Sequence, residues 1–210
     1  GQIEAGIAGG SDTTSDVPIV LGDKLRRRLL DINRAKTFGQ RVGAALKGFS
    51  PRELKPAFPG VAEPRTGKSM GDHCDIMAKE WGITREAQDQ LACASHRKAA
   101  AAYERGFFKD LVVPFRGLER DNILRADTTV EKLAALKPAF DRSSGKGSLT
   151  AGNSTPLTDG ASAVLLGSEA WAQERGLKPL AYLTHSRVAA VDFVAGEGLL
   201  MAPTVAVADL

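Results

Sequence analysis

Leu149-Thr150-Ala151-Gly152-Asn153-Ser154-Thr155-Pro156-Leu157-Thr158-Asp159-Gly160-Ala161-Ser162-Ala163 decides how the rest of the chain is read. It runs from strand character into a turn of small residues, then into a second strand of small apolar ones. Side chains this small let backbone approach backbone, or a ligand, closely. Ile7-Ala8-Gly9-Gly10-Ser11-Asp12 has the same texture, about 140 residues upstream. Two strand units around a charged, helical and proline-rich excursion predict an α/β core.

Working outward, residues 5–10 predict a strand that ends in a glycine pair. Residues 21–42 have helical spacing centred on Leu25, Leu29, Leu30 and Ile32. Pro51, Pro56, Pro59 and Pro64 forbid a long helix and predict an extended, wrapping loop over 48–67. A helix is expected over 69–81, with Met70, Cys74, Met77 and Ala78 on one face. Thr84 is a good N-cap for the next helix, which runs to about Arg105 and ends at Gly106. A short strand is expected at 111–115, a polar loop at 121–129 and a short helix at 130–136 stopped by Pro138. Beyond it, 161–166 reads as a buried strand and 168–175 as a helix ended by Gly176. Residues 180–183 read as the start of a strand, and 202–210 as the start of a helix.

The formal net charge is only +3, and no basic run is interleaved with aromatics. The densest cluster, Arg26-Arg27-Arg28, reads as a solvated helix face, so nucleic acid is not an expected partner. A modest positive excess is compatible with a phosphate-bearing small ligand. No apolar run approaches the ~20 residues that span a bilayer. The first residues lack a signal-peptide pattern, and Cys74 and Cys93 make no disulfide framework; the expectation is a reducing, cytoplasmic location.

His73-Cys74 looks like a base beside a nucleophile, but neighbours on a helix point about 100° apart and do not face each other. Cys74 is expected to pack with Met70 and Met77. Cys93, between Ala92 and Ala94, reads as a small buried hydrophobe. His96 and His185 have no evident partner. Zinc-ligand spacing, a P-loop and a GxGxxG turn are all missing. From the residues alone, the chain contains no nucleophile with a partner.

Several separated segments nevertheless resemble the thiolase family in order and spacing. They are Ala8-Gly9-Gly10, Thr66-Gly67-Lys68-Ser69-Met70-Gly71-Asp72 and Ile83-Thr84-Arg85-Glu86-Ala87-Gln88-Asp89 with Ser95-His96-Arg97-Lys98-Ala99. Leu136-Lys137-Pro138-Ala139-Phe140, Thr150-Ala151-Gly152-Asn153 and Asp159-Gly160-Ala161 complete the set. Asn153 to Gly160, Asp31 to Lys36 and the proline-rich run resemble thiolase subunits of bacterial fatty-acid oxidation complexes.

The resemblance implies a thiolase-like α/β fold of two similar halves, with a mostly helical loop domain inserted in the first. On that reading residues 1–35 end the N-terminal half, 36–147 are the loop domain on the coenzyme A side, 148–177 return to the N-terminal half and 178–210 start the C-terminal half. The implied activity is acyl transfer: cleavage of 3-ketoacyl-CoA by CoA, or the reverse condensation, through a cysteine acyl-enzyme. By family order the nucleophile precedes Gly1, and the His and second Cys follow Leu210, so no catalytic residue is assigned here. Coenzyme A is a co-substrate rather than a resident cofactor. The implied CoA-binding residues are Arg125, Lys132, Phe140, Ala151 and Thr155, and the implied acyl-end residues are Ser69 and Met70. Lys132 and Thr155 stand where the family has serine, and Ser69 where short-chain members commonly have histidine. The implied partners are acyl-CoA and CoA, a further copy of the chain in a homo-oligomer, and a hydratase/dehydrogenase subunit of a β-oxidation complex. The alternative is a non-catalytic, thiolase-like protein that binds CoA or lipid or serves as a scaffold.

Overall fold

The two small-residue segments are partners in space. Ala5–Asp12 forms strand β1, and it pairs antiparallel with Gly160–Gly167, strand β4, from Ala5 opposite Gly167 to Asp12 opposite Gly160. Their size is what lets them meet. A Cβ on Gly9 would lie 2.6 Å from the Ser162 carbonyl oxygen and 3.1 Å from the Ala163 Cα. Asp159 closes the end of the ribbon. Its Oδ1 accepts the Thr14 N–H at 2.7 Å, the Ser15 N–H at 3.0 Å and the Thr13 hydroxyl at 3.1 Å. These donors, Thr14 foremost, hold the Asp159 carboxyl well below the usual carboxylate range.

The computed structural model describes residues 3–210, which form two compact units. One holds the chain as far as Val61 together with Leu157–Ala181, and the other holds Ala62–Pro156 and Tyr182–Leu210.

In the first unit the predicted helix over 21–42 is two helices, α1 (Asp23–Arg34) and α2 (Phe38–Leu46). The break comes from Thr37, whose side chain and Gln40 form a reciprocal capping box that starts a new helix. The Arg cluster is only partly a solvated face. Arg26 and Arg27 are exposed, but the Arg28 side chain is 13% exposed and turned inward. It grips Glu53 with Nε and Nη2 at 3.0 and 3.2 Å and caps the end of α2 through the carbonyls of Ala44, Ala45 and Lys47. The proline-rich stretch is extended apart from a 3-10 turn at Pro51–Leu54 and the short strand β3, Pro56–Ala57, which pairs with β2, Val20–Leu21.

β4 departs from expectation in one respect. It forms, but all its residues are exposed, Val164, Leu165 and Leu166 included. A two-stranded ribbon has two open faces. Among the described residues, helix α6 (Glu169–Glu174, capped by Ser168 and ended by Gly176) brings the Trp171 ring only over Gly167.

In the second unit α3 (Met70–Glu80), α4 (Arg85–Glu104), α5 (Val130–Ala134) and α7 (Ala202–Ala208) form as the sequence leads one to expect, with α5 shorter than predicted. The strand expected at 111–115 does not form. Arg116 and Gly117 both have positive φ, and the chain folds back at once in a single Phe115–Leu118 bridge. Residues 180–183 also form no strand, and Leu180 and Leu183 stay exposed. The apolar core is Ala78, Cys93, Ala102, Leu133 and Leu149, and an equal number of polar residues is buried with it: His73, Asp75, Asp89, Thr128 and Thr150. Hydrogen bonding therefore shapes this unit as much as apolar burial does.

The tight β1–β4 approach makes a test. Gly9→Ala is expected to lower unfolding stability by about 1–3 kcal/mol, since the new methyl meets backbone that cannot move aside. Gly10→Ala, which meets nothing within 4 Å, should cost less in the same urea titration.

Candidate functional site

Helices α3 and α4 begin at side-chain caps, and both caps anchor the site. Ser69 accepts the Asp72 N–H at 3.1 Å while Asp72 Oδ2 accepts the Ser69 N–H at 2.9 Å and its hydroxyl at 2.6 Å. These bonds hold the Asp72 carboxyl below its ordinary value. Thr84 accepts the Ala87 N–H at 3.2 Å. Ahead of Ser69, Thr66 Oγ1 lies 2.8 Å from Nε2 of the buried His73, which braces the approach turn against the helix.

Each helix then sends one buried carboxylate to the same loop. Asp75 on α3, 2% exposed, accepts the N–H groups of Ser148 at 2.9 Å and Leu149 at 3.2 Å through Oδ1. Its Oδ2 lies 2.6 Å from Lys79 Nζ, and that ammonium also reaches Asp141 Oδ2 at 2.5 Å. Burial pushes the Asp75 carboxyl up, but the Lys79 ammonium and the two N–H donors outweigh it and hold the group below its ordinary value. Lys79, with Ser144, holds Asp141 well below the carboxylate range, and Lys79 is itself raised.

Asp89 on α4, 1% exposed, takes Arg85 Nε on Oδ2 at 2.7 Å and Asn153 Nδ2 on Oδ1 at 2.9 Å. Arg85 Nη2 also donates to the carbonyls of Leu133 at 2.6 Å and Leu136 at 3.0 Å, tying α5 to the network. Asn153 Oδ1 accepts the Thr150 N–H at 2.7 Å, and Gln88 donates to the Ser148 hydroxyl at 3.0 Å. Thr150 is fully buried, and its hydroxyl accepts the N–H groups of Gly152 and Asn153.

The loop so held forms one wall of an open depression of about 410 Å³ lined by Lys137, Pro138, Ala139, Arg142 and Ala151. Two cations and small residues in the lining suit an anionic ligand with a slender arm. Phe140, half-buried, lies so close to Gly71 that a Cβ there would be 1.9 Å from its ring. Among the described residues no cluster of three His, Cys, Asp or Glu is placed to hold a metal ion, and no helix is long and apolar enough to cross a membrane.

A family model described as the thiolase N-terminal domain matches residues 1–170. The chain belongs to the thiolase family. The 3-ketoacyl-CoA thiolase of Pectobacterium atrosepticum is 47% identical over 197 residues, covering 91% of this chain and 44% of that enzyme. The crystal structure of Bacillus anthracis acetyl-CoA acetyltransferase superposes with a TM-score of 0.67 at 33% identity, over 90% of this chain and 45% of that one. Human mitochondrial 3-ketoacyl-CoA thiolase in complex with CoA has the same fold, with a TM-score of 0.67 at 24% identity, over 90% of this chain and 44% of that one. The chain thus has an α/β thiolase fold and spans about half the length of the relatives it matches.

All seven residues singled out from the thiolase resemblance lie in the second unit. Ala151 lines the depression and is exposed to it. Phe140 packs on the first turn of α3 at Gly71. Met70 is 55% exposed rather than packed with Cys74; the buried residues of α3 are His73, Asp75 and Ala78. Ser69 spends its hydroxyl on the cap. Arg125 is exposed, its guanidinium turned to the carbonyls of Asn122 and Leu124 and its N–H donating to His96 Nδ1. Lys132 pairs with Asp127 at 2.6 Å, whose carboxyl it holds down with a smaller contribution from Arg125. Thr155 is exposed two residues beyond Asn153.

Asp75, Lys79 and Asp89, and with them Lys137 and Arg142, have no role assigned from the sequence, although Asp89 and Lys137 lie within the family motifs. The first three carried a signal, since Asp75/Lys79 and Arg85/Asp89 are opposite charges four residues apart on helices. That spacing ordinarily marks an exposed pair; here one member of each is buried.

The pH dependence follows from Asp75. Its folded pKa lies below its ordinary value of 3.8, so its stabilisation is fully present above about pH 4 and is lost as pH falls through the depressed value. Asp75→Asn is expected to lower stability at pH 7 by about 1–3 kcal/mol. It should also make the loss of stability below pH 4 shallower, as read from urea midpoints across the range.

Proposed function

We propose that this chain is the CoA-binding part of an acyltransferase that cleaves 3-ketoacyl-CoA with CoA to acetyl-CoA and a shortened acyl-CoA, or runs the reverse condensation. The observation that carries the reading is the 47% identity to a 3-ketoacyl-CoA thiolase, together with family membership over residues 1–170. The depression lined by Lys137, Arg142 and Ala151 adds to it, because CoA is a polyanion on a narrow pantetheine arm. On this reading residues 36–147 form the inserted domain on the CoA side. Ala151 and Thr155 line the arm, Phe140 walls it, Arg125 and Lys132 face its phosphates, and Ser69 and Met70 border the acyl end.

The acyl group is carried by a cysteine outside these 210 residues. Cys93 is 2% exposed and donates its thiol to the Thr128 carbonyl, and Cys74 is pushed up by burial and by the neighbouring Asp75 charge. Neither has the exposed, cation-favoured setting of a nucleophile. In the complete protein a thiolate adds to the 3-keto carbon, the bond between C2 and C3 breaks, and the departing acetyl-CoA enolate takes up a proton. The thiol of CoA then displaces the acyl chain from the cysteine. Such an enzyme fits a cytoplasmic place in fatty-acid β-oxidation, as a homo-oligomer beside a hydratase/dehydrogenase subunit.

The test uses the full-length parent protein. CoA-dependent cleavage of a 3-ketoacyl-CoA is expected, and Ala151→Leu should raise KM for CoA about tenfold with kcat within about twofold. Absence of turnover with CoA binding retained would favour the non-catalytic reading, and absence of both would sink the proposal. In the same protein at pH 7, iodoacetamide should label Cys74 more slowly than free cysteine and leave Cys93 unmodified, read by peptide mass spectrometry.

A further inference from the structure

We infer that Asp75 and Asp89 are positioning residues for CoA binding: two buried carboxylates, one from each of α3 and α4, set the path of residues 148–153 and so the place of Ala151 at the depression. The inference rests on the proposed CoA site and deepens it.

Residues 148–153 have no regular structure to define their course. Their only ladder contact is the isolated bridge between Thr150 and Pro138. A loop this deep must have its backbone donors met, and Asp75 of α3 meets two of them while the loop's own Asn153 and Thr150 side chains meet three more. Asp75 takes the first two N–H groups, those of Ser148 and Leu149. Asn153 takes the Thr150 N–H, and Asn153 is itself held from behind by Asp89. The Asn153 amide also donates to the Ser148 carbonyl at 3.2 Å, closing the loop on itself. Ala151 sits at the crown, between the residues fixed from α3 and those fixed from α4, and it is exposed where Leu149 and Thr150 are buried.

The orientation of Asn153 is set by charge. Asp89 can only accept, so the Asn153 amide nitrogen must face it and the amide oxygen must face the Thr150 N–H. Arg85, pinned by two carbonyls of the α5 region, keeps Asp89 from turning away. An amide at position 89 that keeps its oxygen on Arg85 would present a donor to a donor. A carboxylate at position 153 would present an acceptor to an acceptor. Both changes together would restore a matched pair.

The experiment uses the full-length protein with wild type, Asp89→Asn, Asn153→Asp, the double variant and Asp75→Asn. Thermal unfolding is followed beside steady-state kinetics with CoA and a 3-ketoacyl-CoA varied in turn. The expected result is that each of the two single variants at 89 and 153 raises KM for CoA about tenfold or more while kcat changes less than about threefold. The double variant should regain part of the loss, since a carboxylate at 153 restores the match with position 89 but cannot donate to the Ser148 carbonyl. Asp75→Asn should raise KM for CoA in the same way, and it decides the question if the Asp89 variant does not fold. Folded single variants with unchanged KM for CoA would overturn the inference. So would an equal fall in kcat/KM for both substrates with no recovery in the double variant, which is what general loosening predicts. If wild type itself neither binds nor uses CoA, the proposed function fails and this inference falls with it, a result separable from a normal wild type with indifferent variants.

Discussion

A carboxylate removed from water must be met by charge and by hydrogen bonds, and the second unit is arranged around two such groups. Asp75 and Asp89 are more deeply buried than any leucine in the structure. Each is met on one side by a cation of its own helix, four residues away, and on the other by the loop that follows Gly147. The buried carboxylates need the loop's donors to complete their hydrogen bonding, and the loop needs Asp75 for two of its N–H groups and Asp89 to hold Asn153. Such mutual dependence narrows the set of compatible loop conformations far more than apolar contact would, since apolar contact is tolerant of sliding. It costs desolvation, and it is retained here beside the depression that we assign to the ligand.

The family resemblance rested on motifs that looked independent in the sequence. In the structure they are halves of single contacts. Arg85-Glu86-Ala87-Gln88-Asp89 and Thr150-Ala151-Gly152-Asn153 meet through Asp89 and Asn153, and Gly9 and Asp159-Gly160-Ala161 belong to one ribbon. Their joint presence in order was informative for that reason: each is intelligible only with its mate.

Helix ends were the most legible local features, because Ser69, Thr84 and Ser168 are caps whose chemistry acts within three residues. The break at Thr37 was just as local, yet it was hidden by apolar residues that keep helical spacing on both sides of it. Burial was the least legible. Residues 161–166 have core composition but lie on an open ribbon, and Asp75 has surface composition but lies in the core. Composition reports what a residue prefers, whereas burial is decided by what arrives from elsewhere in the chain. Phe140 shows the same for the candidate site. Its place against α3 depends on a glycine almost seventy positions away that no periodicity singles out.

The pairing of β1 with β4 carries a consequence for the order in which the molecule assembles. Their partners are separated by the entire stretch Ala62–Pro156, which belongs to the other compact unit. Closing a flexible loop of that length is entropically uphill, whereas local helices form quickly. If the intervening segment condenses first, it shortens the effective distance between the strand ends. During synthesis β1 leaves the ribosome long before β4, so this pairing waits until Gly160–Gly167 has emerged. For that interval Gly9 and Gly10 present no apolar side chain to a stray neighbour.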